Sequence, residues 1–181
     1  MLRRSIAFCL VLLGVTALAM PASAAPTNTY YVDANGLTPQ FPYDAPEKAA
    51  TGIVEAVTEA QANWNPDTNF VVLVANGTYH LTNTITITKP ITVVSVNGRD
   101  ATFVDGGYPA RTNRCFYISA NAVLNGFTIS NGYAFGPPPA NRGGGIYAYA
   151  CTALVQNCNI VGNRAATNTS GNGCGAGMAM T

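Results

Sequence analysis

Phe116-Tyr117-Ile118-Ser119, Ala122-Val123-Leu124 and Phe127-Thr128-Ile129 return 31 residues later as Tyr147-Ala148-Tyr149-Ala150, Ala153-Leu154-Val155 and Cys158-Asn159-Ile160. One period earlier, Ile85-Thr86-Ile87-Thr88 falls under Phe116 to Ser119, and Ile91-Thr92-Val93 under Ala122 to Leu124. Each unit is a set of short apolar or alternating runs punctuated by Gly and Asn. A fixed period of short strands marks a solenoid, in which a repeat buries its apolar face only by stacking on its neighbours. The pattern predicts a parallel β-helix, each rung adding a layer of backbone hydrogen bonds and a layer of core. A buried Ile, Leu or Val contributes about 1.5–3 kcal/mol. Ile85, Ile87, Phe116, Ile118, Ile129 and Ile160 are the expected core, and alternation turns Thr86, Thr88, Tyr117 and Ser119 outward.

Strand material extends upstream of the repeats. Phe70 to Val74 is a β-branched run, turned at Asn76-Gly77 into Thr78-Tyr79-His80-Leu81. Thr84 to Thr88 turns at Lys89-Pro90, Ile91 to Val96 at Asn97-Gly98, and Ala101 to Val104 ends in Asp105-Gly106-Gly107. Residues 69–181 are therefore read as rungs, and residues 25–68 as a cap. Thr29 to Asp33 forms a short strand, and Asp44 with Glu47 makes a capping-box pattern with Pro46 in the first helical turn. The helix is expected to run to about Trp64, with Ala49, Ile53, Ala56, Val57 and Ala60 on one face. An amphipathic helix here suits the open end of a solenoid, whose core and strand edges need covering. At the other end Gly175-Ala176-Gly177-Met178 opens a further copy of Gly143-Gly144-Gly145-Ile146 that does not finish, so truncation in mid-rung is expected.

Arg3 and Arg4, the apolar run Ile6 to Leu18 and the small residues Pro21 to Ala25 read as a secretory signal peptide over residues 1–24. The run falls short of the roughly 20 residues a membrane span needs. Removing Arg3 and Arg4 leaves seven of the nine Lys and Arg against eight Asp and Glu, which excludes a basic footprint for nucleic acid or anionic membrane. Four cysteines remain, Cys115, Cys151, Cys158 and Cys174. In an oxidising compartment they could form two bridges with three pairings, although Cys158 sits at the repeat position of Phe127 and reads as a small core residue. No C-x-x-C occurs and His80 is remote, which argues against zinc.

Tyr30-Tyr31-Val32-Asp33-Ala34-Asn35-Gly36, the helix, and Val72-Leu73-Val74-Ala75-Asn76-Gly77-Thr78-Tyr79 resemble the opening segment of secreted bacterial proteins of the pectate-lyase-like superfamily. Gly143-Gly144-Gly145-Ile146-Tyr147 resembles the Gly-Gly-x-Ile element of polymorphic outer membrane protein repeats, and Ile160-Val161-Gly162-Asn163 stands where their Phe-x-x-Asn would be. The resemblance implies an all-β, right-handed parallel β-helix with an N-terminal capping helix, secreted or held at the cell or outer-membrane surface through a region further along. It implies a non-catalytic scaffold for adhesion or for contact with a polysaccharide or host-cell glycan. The alternative is the N-terminal part of a polysaccharide lyase or glycoside hydrolase acting on acidic polysaccharide. Lyases of this fold hold calcium with clustered Asp residues and use an Arg base. No such cluster, and no lyase or polygalacturonase motif, occurs here, so no catalytic residue is assigned and calcium is expected only on the lyase reading.

The loops Tyr133 to Asn141 and Ala165 to Asn172 follow equivalent strands and should leave the same side, the side where repeat arrays carry binding sites. Asp105, at a strand end with Arg111 and Arg114 close behind, could face their guanidinium groups in a set that binds an acidic sugar through Arg, or simply form a turn beside solvated Arg side chains. Arg111 and Arg142 are also 31 residues apart and would stack, either solvated or sharing an anion such as a polyanionic glycan. Tyr133 and Phe135, with Tyr108, could form a sugar-stacking platform, or pack the loop onto the coil. His80 has no obvious carboxylate partner and reads as a surface histidine. Asn76-Gly77-Thr78 and Asn168-Thr169-Ser170 match glycosylation sequons, but asparagine ladders at the bends account for such residues more simply.

Overall fold

The structure is a computed structural model that describes residues 25–166 and 175–181; the expected signal peptide, residues 1–24, lies outside the described residues. The chain runs through β1 (Thr27–Val32), a 3-10 turn (Pro46–Lys48), α1 (Ile53–Ala62), β2 (Asn69–Val74), β3 (Gly77–His80), β4 (Ile85–Ile87), β5 (Thr92–Ser95) and β6 (Thr102–Asp105). It continues as β7 (Phe116–Ile118), β8 (Val123–Asn125), β9 (Thr128–Ser130), β10 (Tyr133–Phe135), β11 (Ile146–Ala148), β12 (Leu154–Gln156), β13 (Asn159–Val161), β14 (Arg164–Ala166) and β15 (Met178–Met180). These strands build parallel sheets ordered β1-β2-β5-β8-β12, β15-β11-β7-β4, β13-β9-β6-β3 and β10-β14. Consecutive strands thus visit three sheets in turn, β4-β5-β6, then β7-β8-β9, then β11-β12-β13. The result is a β-helix-like coil of stacked parallel sheets.

The core consists of inward columns. Ile85, Phe116 and Ile146 lie above one another, as do Ile87, Ile118 and Ala148, and all six are enclosed. Val72, Val93 and Leu124 fill the second sheet, and Tyr79, Val104 and Ile129 the third. The rings of Phe116 and Phe127 meet at 6.4 Å between centroids. Ile160 is only half-buried, because β13 is the edge strand of its sheet among the described residues. The expected outward residues Thr86, Thr88, Tyr117 and Ser119 all remain at least partly accessible.

The 31-residue step holds between β8 and β12, where Val123 pairs with Leu154, and between β9 and β13, where Thr128 pairs with Asn159. It fails by one residue between β7 and β11: Phe116 pairs with Ile146 and Tyr117 with Tyr147. A one-residue slip inverts every side chain of a strand. Tyr147, expected inward over Phe116, is therefore outward over Tyr117, and the small Ala148 takes the inward place over Ile118. The ladder returns to the 31-residue step in the bend after β11: five residues separate Ala148 from Leu154 where four separate Ile118 from Val123, and Ala150 there adopts a left-handed φ of +50°. A Cβ on Gly144 would collide with the carbonyl of Arg164, and Gly143 adopts a left-handed φ of +61°.

The cap also differs from the expected single helix. Residues 49–52 are not helical: Ala50 bridges to Val32 and its N–H donates to the Tyr31 carbonyl at 2.9 Å. α1 therefore starts at Ile53 behind Gly52, and the capping box does not form; Asp44 instead pairs with Lys48 at 3.0 Å. The predicted apolar stripe Ile53, Ala56, Val57 and Ala60 is buried, and α1 packs on β1, β2 and β4. Its Gln61 completes the exposed edge of β4. The side-chain amide donates to the Thr86 carbonyl at 3.0 Å and accepts from the Thr88 backbone N–H at 2.6 Å.

Asparagines recur at the bends. Asn157 donates to the Asn125 side-chain carbonyl at 3.0 Å, and Asn97 to that of Asn76 at 2.9 Å. Asn76, the first sequon, is thereby part of a ladder; Asn168 lies outside the described residues.

Candidate functional site

The register of β7 and β11 builds an aromatic groove on the outer face of their sheet. Tyr117 and Tyr147 are in register and their centroids are 5.7 Å apart, tilted by 55°. Tyr149, whose N–H donates to the Ile118 carbonyl, lies 6.1 Å from Tyr147. Arg114 covers Tyr147, with its guanidinium carbon 5.1 Å from the ring centroid. Its Nη2 donates to the carbonyls of Ala140 and Arg142, both at 2.9 Å, and its Nε to that of Gly143 at 3.4 Å. One side chain thus ties the Pro-rich loop to the coil. Burial lowers the Arg114 pKa from its ordinary value, against an opposing influence of Tyr147 and Tyr117. Between the loop and the rings lies a cavity of about 300 Å³ lined by Arg114, Tyr117, Pro139, Ala140, Tyr147 and Tyr149. Tyr147 is 3% exposed and Tyr149 49%, so Tyr147 is a floor and Tyr149 a free wall.

A second aromatic cluster adjoins it. The Tyr108 and Tyr133 centroids lie 4.8 Å apart, and Tyr133 stacks on Phe135 at 5.8 Å and 30°. Arg164, in register with Tyr133, lies over Tyr108 at 4.8 Å and donates to its hydroxyl at 2.9 Å. The three rings expected to form a platform are brought together, and Phe135 is half-exposed. A depression of about 160 Å³ lined by Thr84, Thr112, Tyr133 and Phe135 shares Arg114 and Ala140 with the groove.

Asp105 is engaged elsewhere. It accepts from the Gly107 N–H at 3.0 Å and from Asn131 at 3.0 Å, and it pairs with His80 Nδ1 at 2.9 Å. Burial works to raise its pKa, but the bonds from Gly107, Asn131 and His80 together outweigh it and leave the carboxyl below the usual range. His80 therefore does have a carboxylate partner, contrary to the sequence reading. The pairing follows from His80↔Asp105 in the β3–β6 ladder, where the step is 25 residues, so the 31-residue period hides it. Ser130 is next in this outward column, so the carboxylate lies between imidazole and hydroxyl, and the imidazole is not placed to relay a proton from the serine.

Arg111 donates to the Leu81 carbonyl at 2.8 Å, and Arg142 lies in the loop that Arg114 holds. Their 31-residue interval is not the one used by the adjoining Phe116↔Ile146 pair. Arg114, Tyr117, Tyr147 and Tyr149 are not recognisable as a unit from the sequence, because a uniform 31-residue register turns Tyr147 and Tyr149 inward.

Cys115, Cys151 and Cys158 form no disulfide with one another; Cys174 lies outside the described residues. Burial pushes the Cys115 thiol up to about 12 and also raises Cys158, so neither is a ready nucleophile. Cys158 packs against the core at the repeat position of Phe127, whose N–H donates to its sulfur at 3.5 Å. Among the described residues no group of three or more His, Cys, Asp or Glu side chains could hold a metal ion, and no helix is long and apolar enough to cross a membrane.

No family model, curated protein or solved structure matches the chain.

Proposed function

We propose that this protein is a secreted or cell-surface scaffold of the right-handed parallel β-helix type, related to the pectate-lyase-like superfamily and its outer-membrane repeat proteins, and that it contacts glycans without chemistry in this segment. The observation that carries the reading is the pair of aromatic clusters on either side of Arg114. Aromatic rings present large rigid area at little entropic cost, and half-exposed rings beside a cavity suit the flat face of a sugar. Arg111, Arg142 and Asp105 flank these clusters in sequence and would act as polar contacts to a polysaccharide or a host or cell-surface glycan. Nucleic acid is not an expected partner, given the balanced charge.

A lyase or hydrolase of acidic polysaccharide is the second reading, and His80 favours it. Its Nδ1 faces Asp105, an arrangement that orients an imidazole and leaves Nε2 to act as acid or base. Calcium would belong only to that reading. Two measurements separate the two: retention of the purified protein on immobilised polysaccharides, and release of reducing or unsaturated ends from the same polymers in solution. Retention without product is the expected result. Product formation abolished by His80→Ala would replace the scaffold reading with the enzyme.

A further inference from the structure

The groove beneath the Pro-rich loop has a chemical bias that selects among glycans. A carboxylated sugar is held best by a guanidinium whose Nε and Nη2 edge is free to grip both oxygens. In Arg114 that edge is already used: Nε donates to the Gly143 carbonyl and Nη2 to those of Ala140 and Arg142. The face of the guanidinium is turned to Tyr147. Three carbonyl dipoles and one ring thus offset the only charge among the lining residues, and a bidentate carboxylate contact would require the loop to come away. The rest of the accessible lining, Tyr117, Tyr149, Pro139 and Ala140, offers aromatic and aliphatic surface above the enclosed Tyr147. Tyr147 cannot contribute its hydroxyl freely, since that group shares a hydrogen bond with the Thr181 hydroxyl at 3.1 Å.

Such a surface matches a pyranose whose hydroxyls are all equatorial, because its ring faces then expose only C–H groups. The cavity of about 300 Å³ is at the small end of ligand sites and has room for one or two such rings. We infer that the Arg114–Tyr117–Tyr147–Tyr149 groove binds uncharged β-linked glucosyl units by stacking, Arg114 serving to position the loop and not to bind an anion. This inference rests on the glycan-contacting reading and narrows it.

The test is calorimetric titration of the intact protein with a β-1,4-glucose hexamer and, separately, an α-1,4-galacturonate hexamer, each in 0.05 M and 0.5 M NaCl. The expected result is binding of the glucose hexamer that salt leaves unchanged, weakened roughly tenfold or more in Tyr149→Ala, as expected for loss of a stacking ring. Tyr149 is a half-exposed wall, so this variant should keep the wild-type circular dichroism and unfolding midpoint; Tyr149→Phe should retain binding. Galacturonate binding that salt weakens, without glucose binding, would overturn the inference while leaving the protein a glycan binder. Glucose binding lost in Tyr133→Ala but kept in Tyr149→Ala would overturn it by moving the site to the other cluster. Binding of neither hexamer, with no retention on other polysaccharides, would remove the inference and the glycan reading together.

Discussion

Asp105 shows how much a single side chain depends on its rung. Its carboxylate collects donors from Gly107, Asn131 and His80, which hold its pKa below the ordinary value although burial opposes them. A group whose folded pKa is depressed adds stability above its unfolded pKa, near 3.9, and loses it as pH falls through the folded value. Asp105→Asn should therefore lower stability at pH 7 by roughly 1–2 kcal/mol. That deficit should shrink as the pH drops below about 4, as followed by urea unfolding at pH 7 and at the lowest pH where the fold persists. A deficit that stays constant with pH would show that the donors do not act on the charged form. The Gly107 contact belongs to the turn that Asp105-Gly106-Gly107 announces, but the other two partners could not be read from the chain. His80 and Asp105 meet across a 25-residue step and Asp105 and Asn131 across 26, and no repeat of 31 points to either.

At the scale of elements, α1 does two things for the coil. Its apolar stripe, Ile53, Ala56, Val57 and Ala60, was legible from helical spacing and covers the first rungs. Its Gln61 satisfies the backbone of β4, which no spacing rule announces, because the amide serves as a substitute strand for one residue pair. Gln61→Ala should cost about 1 kcal/mol and lower the unfolding midpoint by about 2–4 °C. Hydrogen exchange should report faster exchange at the Thr88 amide, while amides in β8 and β9 keep their protection. Unchanged exchange at Thr88 would mean that water replaces the glutamine without loss. The interrupted start of the helix has an equally local cause. Ala50 gains a strand partner in Val32, and this pairing outweighs the capping-box preference of Asp44 and Glu47.

For the whole molecule, stability comes from stacked apolar columns and parallel ladders, with little from charge. Among the described residues only two ion pairs are formed, Lys48–Asp44 and His80–Asp105, each with a well-exposed partner. Exposed pairs contribute about 0–1 kcal/mol and are screened by salt. The unfolding midpoint at pH 7 should accordingly shift by no more than about 2 °C between 0.05 M and 0.5 M NaCl. A larger fall with salt would reveal an electrostatic contribution that the contacts do not contain.

From sequence alone follow the succession of short strands, the parallel coil, the helical cap and most of the core, because each is written in periodicity: two residues for a strand, 3.6 for a helix, 31 for a rung. The tertiary structure alone decided the groove. Whether Tyr147 points in or out turns on a single residue, taken up in the bend between β11 and β12, where five residues separate Ala148 from Leu154 and only four separate Ile118 from Val123. A side-chain period of two makes that one-residue slip invert the face of the strand, and the energy that settles it comes from packing Ile146 and Ala148 over Phe116 and Ile118. That energy belongs to contacts between rungs and has no counterpart in the local pattern of the chain.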